Sequence, residues 1–262
     1  AEEMIAYYDL YGVKDFYFHD DLMNGNLKDL NDMVDHLLDY YDKNALGDAY
    51  FSFSGYWIIR SEKNFNSGRW KRLKQAGANL FVVGIETGSD RLRKTVRKGF
   101  TNKDLEFSIK QLKENKLKFY FMLISGIPGE TEQDFQDTLD MLTRWQKYVA
   151  SGTISGIDLS TSLMFMPGTP LERMIDTHEV TFPAYEYNAV GNKVKNNLIW
   201  TSALNPDLTF EERIRRRLEV HEHAMKYKWP IWRGPQRLDS LLKNVELYKK
   251  GIGKRIPVVS VN

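Results

Sequence analysis

The sequence predicts an α/β fold: an open or partial barrel of parallel strands that lacks its first strand, followed by a mostly helical C-terminal extension. Five short β-prone runs, centred near residues 15, 51, 82, 121 and 160, alternate with helical segments of ten or more residues. This alternation is typical of parallel βαβ units. Five strands are too few for a closed eight-stranded barrel. We expect a core over residues 1–175 and an extension over residues 176–262.

The helices are predicted from apolar periodicity and from end signals. Leu30, Val34 and Leu37 recur at helical spacing inside a helix expected over residues 26–41. A helix over residues 69–75 is expected to end at Gly77, because glycine readily adopts the left-handed conformation that terminates helices. Further helices are predicted over residues 1–11, 90–98, 102–114, 131–148 and 209–227.

The strands are predicted from runs of β-branched and aromatic residues. Residues 79–85 form a continuous apolar run, as in strands that are buried on both faces of a parallel sheet. The other strands are expected over residues 13–18, 49–53, 118–125 and 157–164. Residues 176–206 are interpreted as irregular because they contain helix and strand breakers. Residues 211–219 are interpreted as a solvated helix face.

The composition excludes several classes of function. Of the 262 residues, 42% are hydrophobic and 27% are charged, as in ordinary globular domains. A net charge of +2 indicates neither a nucleic acid nor an anionic membrane as a partner, and the apolar runs are too short to cross a bilayer. We therefore expect a cytoplasmic protein that acts on a small-molecule or unknown substrate. The chain has no cysteine, which excludes disulfides, thiolate catalysis and Cys-ligated metal sites built from these residues.

Polar or glycine-rich clusters follow four of the five predicted strands. Asp20 and Asp21 come after the first strand, Glu86 ends the third, and Gly126 and Gly129 follow the fourth. The fourth cluster covers residues 166–170, after the fifth strand. Since the carboxyl ends of barrel strands carry the ligand-binding loops, we expect one edge of the sheet to be a binding face.

Each cluster has a chemical interpretation and a simpler one. Glu86 is suited to accept hydrogen bonds from ribose hydroxyls, and the two aspartates are suited to an ammonium group. Gly126 permits close approach of the backbone to a flat ring, and Pro128 stiffens the turn. The glycines and prolines are also ordinary turn residues. Glu130 is also explained as an acidic partner of the following helix dipole.

Five motifs, taken in order, resemble the radical S-adenosylmethionine (SAM) superfamily. The resemblance covers roughly residues 1–172 and is closest to members that carry a cobalamin-binding domain, and looser to methylthiotransferases. The motifs are Phe-Tyr-Phe-His-Asp-Asp at residues 16–21, Leu-Lys-Gln-Ala-Gly at 73–77, Gly-Ile-Glu-Thr-Gly-Ser at 84–89, Lys-Gly-Phe-Thr at 98–101 and Ile-Ser-Gly-Ile-Pro-Gly-Glu-Thr at 124–131. Each motif alone is weakly specific, and the five in register are specific.

The resemblance implies a partial (β/α)6 barrel of TIM type that binds SAM across its strand ends. It also implies a [4Fe–4S] cluster that reduces SAM to a 5′-deoxyadenosyl radical, and cobalamin as a further cofactor of the members it most resembles. Asp20 and Asp21 match positions that contact the methionine amino group or place substrate. Glu86 matches the ribose-binding position, and Lys98 matches a position that reaches the SAM carboxylate. Gly126, Ile127 and Pro128 match the turn beside adenine.

The sequence departs from the superfamily at the cluster. The CxxxCxxC loop and the strand before it have no counterpart in these residues. We therefore expect an N-terminally truncated catalytic core that is inactive as given, with the cluster ligands and any cobalamin domain upstream. The alternative is a natural, non-catalytic barrel-like module that binds SAM or another nucleoside. A third hypothesis is an unrelated barrel enzyme that uses Asp20, Asp21 and Glu86 as acid/base groups or Mg²⁺ ligands.

Overall fold

The computed structural model describes most of the chain and divides it into two compact units. The described residues are 1–19, 21–159, 163, 165, 168–182, 185–187, 193–195 and 200–231. The first unit comprises Ala1–Ile85, Gly99–Met122 and Trp145–Ile157. The second comprises Glu86–Lys98, Leu123–Arg144 and the described residues from Asp158 onward. The predicted division into residues 1–175 and 176–262 stays a prediction.

A parallel sheet of five strands, arranged in chain order, confirms the predicted α/β class. Its strands are β1 (Asp15–Phe18), β2 (Ser52–Trp57), β3 (Ala78–Glu86), β4 (Lys118–Leu123) and β5 (Ile154–Asp158). In the β1–β2 register, Phe16 lies opposite Phe53. Strand β5 begins and ends earlier than the predicted 157–164, since it starts at Ile154 and stops at Asp158.

The helices follow the predicted alternation. Those described are α1 (Glu2–Tyr11), α2 (Leu27–Lys43), α3 (Ser67–Ala76), α4 (Asp90–Thr95), α5 (Asn102–Glu114), α6 (Glu132–Ala150), α7 (Pro170–Asp176) and α8 (Phe210–Lys226). Asn26 and Thr101 cap α2 and α5 by accepting hydrogen bonds from backbone N–H groups, which otherwise have no partner in the first turn. Gly77 ends α3 with φ 107°, as predicted. A Cβ at Gly77 would lie 2.0 Å from the carbonyl oxygen of Phe51, so only glycine fits there.

The core of the first unit is rich in aromatic side chains. Strand β2 alternates buried and half-buried positions, which directs Phe53 and Trp57 to one face of the sheet. The Trp57 and Phe81 rings lie 4.4 Å apart, and Trp70 from α3 packs 5.5 Å from Trp57. Phe65 joins this cluster at 5.3 Å from Trp57. Burial of these large apolar surfaces is the main source of stability in this unit.

The second unit contains α4, most of α6, α7 and α8, with two small antiparallel sheets. One sheet pairs β6 (Val180–Thr181) with β9 (Thr201–Ser202), and the other pairs β7 (Tyr185–Tyr187) with β8 (Lys193–Lys195). These strands lie in residues 176–206, which were predicted to be irregular, so that interpretation was wrong for the residues of these strands. Among the described residues, one apolar cluster of this unit consists of Leu163, Phe165, Met174, Val180, Trp200 and Leu208.

Length and hydropathy decide which helices could cross a membrane. Of those in the described ranges, none is both long enough and apolar enough to traverse a bilayer.

Candidate functional site

The turn over residues 126–130, which follows β4, is buried throughout. Gly126 and Gly129 have φ values of 81° and 76°, a left-handed conformation that favours glycine. The Gly126 N–H donates a hydrogen bond of 3.1 Å to Oε2 of Glu130, which closes the turn. Glu130 therefore holds the turn through its side chain, in addition to any effect on the dipole of α6.

Glu130 is a buried carboxylate paired with a buried guanidinium. Its exposed fraction is 2%, and Arg216 Nη1 lies 3.3 Å from its Oε2. Burial raises the pKa of Glu130 to about 7, although Arg216 and the Gly126 N–H both act to lower it. The backbone carbonyl of Glu130 also accepts a hydrogen bond of 2.6 Å from Asn205 Nδ2.

Arg216, from α8, contacts several groups around this turn. Its Nη1 donates to the carbonyl oxygen of Thr131 at 3.0 Å, and its Nη2 pairs with Glu132 at 3.2 Å. Its Nε pairs with Glu212 at 2.7 Å. The guanidinium thus joins α8 to both the turn and the start of α6. Because Arg216 is only 4% exposed, the interpretation of residues 211–219 as a solvated face was wrong for this side chain.

Arg213 occupies the space next to Gly126. Its guanidinium stacks 3.8 Å from the Trp200 ring centroid and donates to the carbonyl oxygens of Trp200 and Leu208 at 3.0 and 2.9 Å. A Cβ at Gly126 would lie 2.5 Å from Arg213 Cδ. The absence of a side chain at Gly126 therefore makes room for Arg213, a role that the sequence interpretation did not include.

A second buried carboxylate, Asp134, supports the turn from another side. Asp134 accepts a hydrogen bond of 2.6 Å from Ser89 Oγ and pairs with Arg91. Arg91 Nη2 also donates to the carbonyl oxygen of Gly129 at 2.6 Å. Burial alone would raise the pKa of Asp134, but the bonds from Arg91, Ser89 and Thr131 outweigh it and lower that pKa.

Glu86 and Lys98, two of the predicted site residues, form an ion pair with 2.8 Å between Lys98 Nζ and Glu86 Oε1. Glu86 has φ 62°, an uncommon conformation for a residue other than glycine, and such residues cluster at functional sites. Its carbonyl oxygen accepts a hydrogen bond of 2.8 Å from the Ile124 N–H. This bond connects the end of β3 to the segment that leads into the 126–130 turn.

The predicted residues fall into three groups. Glu86 and Lys98 are paired, and Gly126, Ile127 and Pro128 share one buried turn in the same unit. Asp21 is exposed and belongs to the first unit, and Asp20 lies outside the described residues. The expected convergence of the aspartates with Glu86 and Gly126 stays a prediction.

The buried contacts of α8 were missed, although the sequence carried a signal. Phe210, Arg213, Val220 and Ala224 lie on one side of the helix at helical spacing and are buried together. The arginines were interpreted as solvated because charged residues seldom lose contact with water unless they are paired. Their partners come from distant segments, which periodicity does not reveal.

The side chains present here fit one of the implied cofactors and not the other. Across the described part of the chain, no group of three or more histidine, aspartate or glutamate side chains is placed to hold a metal ion. The full sequence has no cysteine, so these residues do not fit a thiolate-ligated [4Fe–4S] cluster. A carboxylate, an ammonium group and a buried glycine turn do fit the hydroxyl, carboxylate and ring groups of a nucleoside amino acid.

Comparison with known proteins identifies the segment that carries this site. Residues 27–142 match the model of the Radical SAM superfamily. This segment includes Glu86, Lys98 and the 126–130 turn, and the superfamily uses SAM and a [4Fe–4S] cluster.

Curated relatives of this Radical SAM segment are enzymes of tRNA modification, by their names. The tRNA-2-methylthio-N(6)-dimethylallyladenosine synthase of Legionella pneumophila (strain Corby) is 27% identical over 124 residues, which cover 46% of this chain and 26% of that protein. The enzyme of the same name from Methylococcus capsulatus is 31% identical over 96 residues, covering 35% and 19%. The chain thus spans about a quarter or less of the length of these relatives.

Two solved structures of Radical SAM proteins share the fold. The methyltransferase TsrM from Kitasatospora setae, solved with cobalamin and a [4Fe–4S] cluster bound, has a TM-score of 0.62 at 14% identity. The alignment covers 84% of this chain and 45% of TsrM. OxsB, a cobalamin-dependent enzyme solved with SAM bound, has a TM-score of 0.51 at 15% identity, covering 67% and 30%. These neighbours confirm the predicted resemblance to cobalamin-dependent members at the level of fold.

Proposed function

We propose that this chain is the SAM-binding part of a radical SAM enzyme and that it cannot cleave SAM by itself. The observation that carries the proposal is the bond between the Ile124 N–H and the Glu86 carbonyl oxygen. It joins the strand end that bears the Glu86–Lys98 pair to the segment that opens the 126–130 turn. Hydroxyl-binding and ring-binding elements are thus neighbours in one unit.

The proposed roles follow from the chemistry of each group. A carboxylate accepts several hydrogen bonds, so Glu86 can serve ribose hydroxyls while Oε1 faces Lys98. Lys98 is placed to attract the carboxylate of SAM. The backbone of Gly126, Ile127 and Pro128 borders the adenine. Asp20 and Asp21 would contact the methionine amino group or the substrate.

The [4Fe–4S] cluster supplies the electron for SAM cleavage in this superfamily, and its thiolate ligands must come from outside these 262 residues. The cobalamin bound by TsrM and OxsB supports cobalamin as a further cofactor of the whole protein. The substrate class is open between a small molecule and a nucleic acid, since the curated relatives act on tRNA by name.

The absence of cysteine also favours a second function, a non-catalytic module that binds SAM or a related nucleoside. Both functions require the same nucleoside site, and they differ in the polypeptide around it. A longer natural chain with three cysteines and an oxygen-sensitive iron–sulfur absorbance would support the enzyme. A full-length chain without those cysteines would support the module.

The nucleoside site is tested by calorimetric titration of the 262-residue chain with S-adenosylhomocysteine, which needs no cluster. We expect binding by the unmodified chain and at least a tenfold loss in Glu86→Ala, because the ribose hydroxyls lose their acceptor. Glu62→Ala, which removes an exposed carboxylate in the first unit, is the matched control and should bind as the unmodified chain does. No binding by the unmodified chain, or equal binding by Glu86→Ala, would rule the site out.

A further inference from the structure

The C-terminal helix α8 buries two arginines next to the 126–130 turn, and none of the motifs that define the superfamily segment includes them. Of the two, Arg216 contacts the side chain of Glu130 in the turn. Its guanidinium reaches the side chain of Glu130, the carbonyl oxygen of Thr131 and the side chains of Glu132 and Glu212.

We infer that Arg216 is a positioning residue for the nucleoside site and acts through Glu130 on the conformation of the 126–130 turn. This inference rests on the proposed function, because it assigns to α8 the control of ligand affinity at the same site. It gives the segment outside residues 27–142 a role in binding SAM without direct contact with it.

The geometry of the 126–130 turn depends on a single carboxylate oxygen. Glu130 Oε2 accepts the Gly126 N–H at 3.1 Å and also faces Arg216 Nη1 at 3.3 Å. One oxygen atom therefore links the residue proposed to border the adenine with the arginine of α8. If that oxygen moves, the Gly126 N–H loses its acceptor and the left-handed turn loses its closing bond.

The buried charge of Glu130 also depends on Arg216. Glu130 is 2% exposed, so water cannot neutralise its charge when its cation is removed. Arg216 balances this carboxylate, and Asp134 is a second acid whose negative charge acts on Glu130 from α6. Without Arg216, Glu130 would either leave its buried position, and the turn with it, or take up a proton, which makes its oxygen a weaker acceptor for the Gly126 N–H.

The shape of the Arg216 guanidinium matters as well as its charge. Three separate nitrogen atoms of the guanidinium bind groups in different directions, namely Glu130 and Thr131, Glu132, and Glu212. A lysine ammonium is a single point of charge and cannot reach all of them together. Arginine therefore fixes the distance between α8 and the turn, whereas lysine would only supply charge.

The experiment is a titration of four variants with S-adenosylhomocysteine, each first checked for folding by circular dichroism. We expect Arg216→Met to bind at least tenfold more weakly than the unmodified chain and Arg216→Lys to be intermediate. Arg215→Met removes a half-exposed arginine from the same helix and should stay within twofold. The double variant Glu130→Gln/Arg216→Met should bind more tightly than Arg216→Met but more weakly than the unmodified chain, since a neutral amide accepts the Gly126 N–H and leaves no buried charge, whereas the bonds from Arg216 to Thr131 and Glu212 stay lost.

The rescue separates a positioning role from a merely structural one. Unimpaired binding by Arg216→Met, or a double variant as weak as Arg216→Met, would overturn the inference while leaving the proposed function intact. If the unmodified chain itself does not bind, the proposed function fails first. Should Arg216→Met not fold, the double variant and Arg216→Lys carry the test, and a double variant that folds but does not bind would overturn the inference.

Discussion

In the first unit the residues that pack behind the sheet are mostly aromatic, whereas the second unit buries charged groups around one turn. Trp57, Phe65 and Trp70 pack through ring contacts without directional partners. Around the 126–130 turn, by contrast, Glu130 and Arg216 each depend on a specific partner at hydrogen-bond distance. Apolar packing depends on volume, while a buried charge depends on each of its partners.

This difference predicts which changes should lower the stability of each unit. The first unit should respond to lost volume. The second unit should respond to the removal of one charged group or one hydrogen bond, and to pH in the range where Glu130 titrates.

The largest expected effect is in the aromatic core. Trp70→Ala should lower the free energy of unfolding by about 3–5 kcal/mol, because a 1% exposed indole leaves a large cavity. Trp70→Phe should cost much less, because the indole Nε1 has no hydrogen-bond partner among the described residues. Urea denaturation followed by circular dichroism measures both, and equal losses for the two variants would contradict volume as the controlling factor.

The next effect compares two left-handed glycines. Gly126→Ala should cost about 2–4 kcal/mol, the sum of the strain at φ 81° and the 2.5 Å approach of the new Cβ to Arg213. Gly152→Ala, at φ 74° with open space around it, should show the strain alone, about 1–2 kcal/mol. Thermal and urea unfolding of both variants test this, and an equal cost at the two sites would mean that Arg213 moves aside freely.

Glu130 should give the second unit a pH dependence. Its pKa is raised from 4.5 to about 7 in the folded chain, so between these values the folded state binds more protons than the unfolded state. Its contribution to stability is therefore full below pH 4.5 and is lost as the pH rises through about 7, by up to about 3 kcal/mol. Asp134, with a lowered pKa, titrates below this range.

The variant Glu130→Gln removes this titration. Its free energy of unfolding, relative to the unmodified chain, should therefore rise from pH 5 to about pH 7 and then level off by pH 8, when measured by urea denaturation at pH 5, 6, 7 and 8. Glu62→Gln, the same substitution at an exposed position of the first unit, is the control for replacing a glutamate by glutamine. A constant difference between Glu130→Gln and the unmodified chain would show that Glu130 does not titrate in this range.

The smallest effect should be the same in both units, because helix caps are local. Thr101 and Thr209 each accept a hydrogen bond from a backbone N–H in the first turn of α5 and α8. Thr101→Ala and Thr209→Ala should each cost about 1 kcal/mol, and the serine variants only a few tenths. A loss at Thr209 several times that at Thr101, in thermal unfolding, would show that α8 depends on its cap for the buried arginines.

Local patterns in the sequence predicted much of the fold. Helix α5 was expected over residues 102–114 and runs over Asn102–Glu114, because Thr101 and Asp104 form a capping box. Gly77 ends α3 as expected. Strand β5 was predicted too late, because Leu159, Thr161 and Leu163 continue a strand-like alternation with polar residues beyond Asp158. The two small sheets, β6 with β9 and β7 with β8, were missed because strands of two or three residues carry no periodicity.

By itself, the sequence determined the α/β class, the order of the elements, the motifs that match the superfamily, and the lack of thiolates for a cluster. These properties depend on neighbours along the chain and on composition. Only the tertiary structure decided that Glu86 pairs with Lys98 and that Arg213 and Arg216 are buried against the 126–130 turn. The charges that pair with Arg216 include Glu130, 86 positions away. Helical periodicity shows which residues of a helix share a face, but it does not show which distant groups compensate a charge on that face.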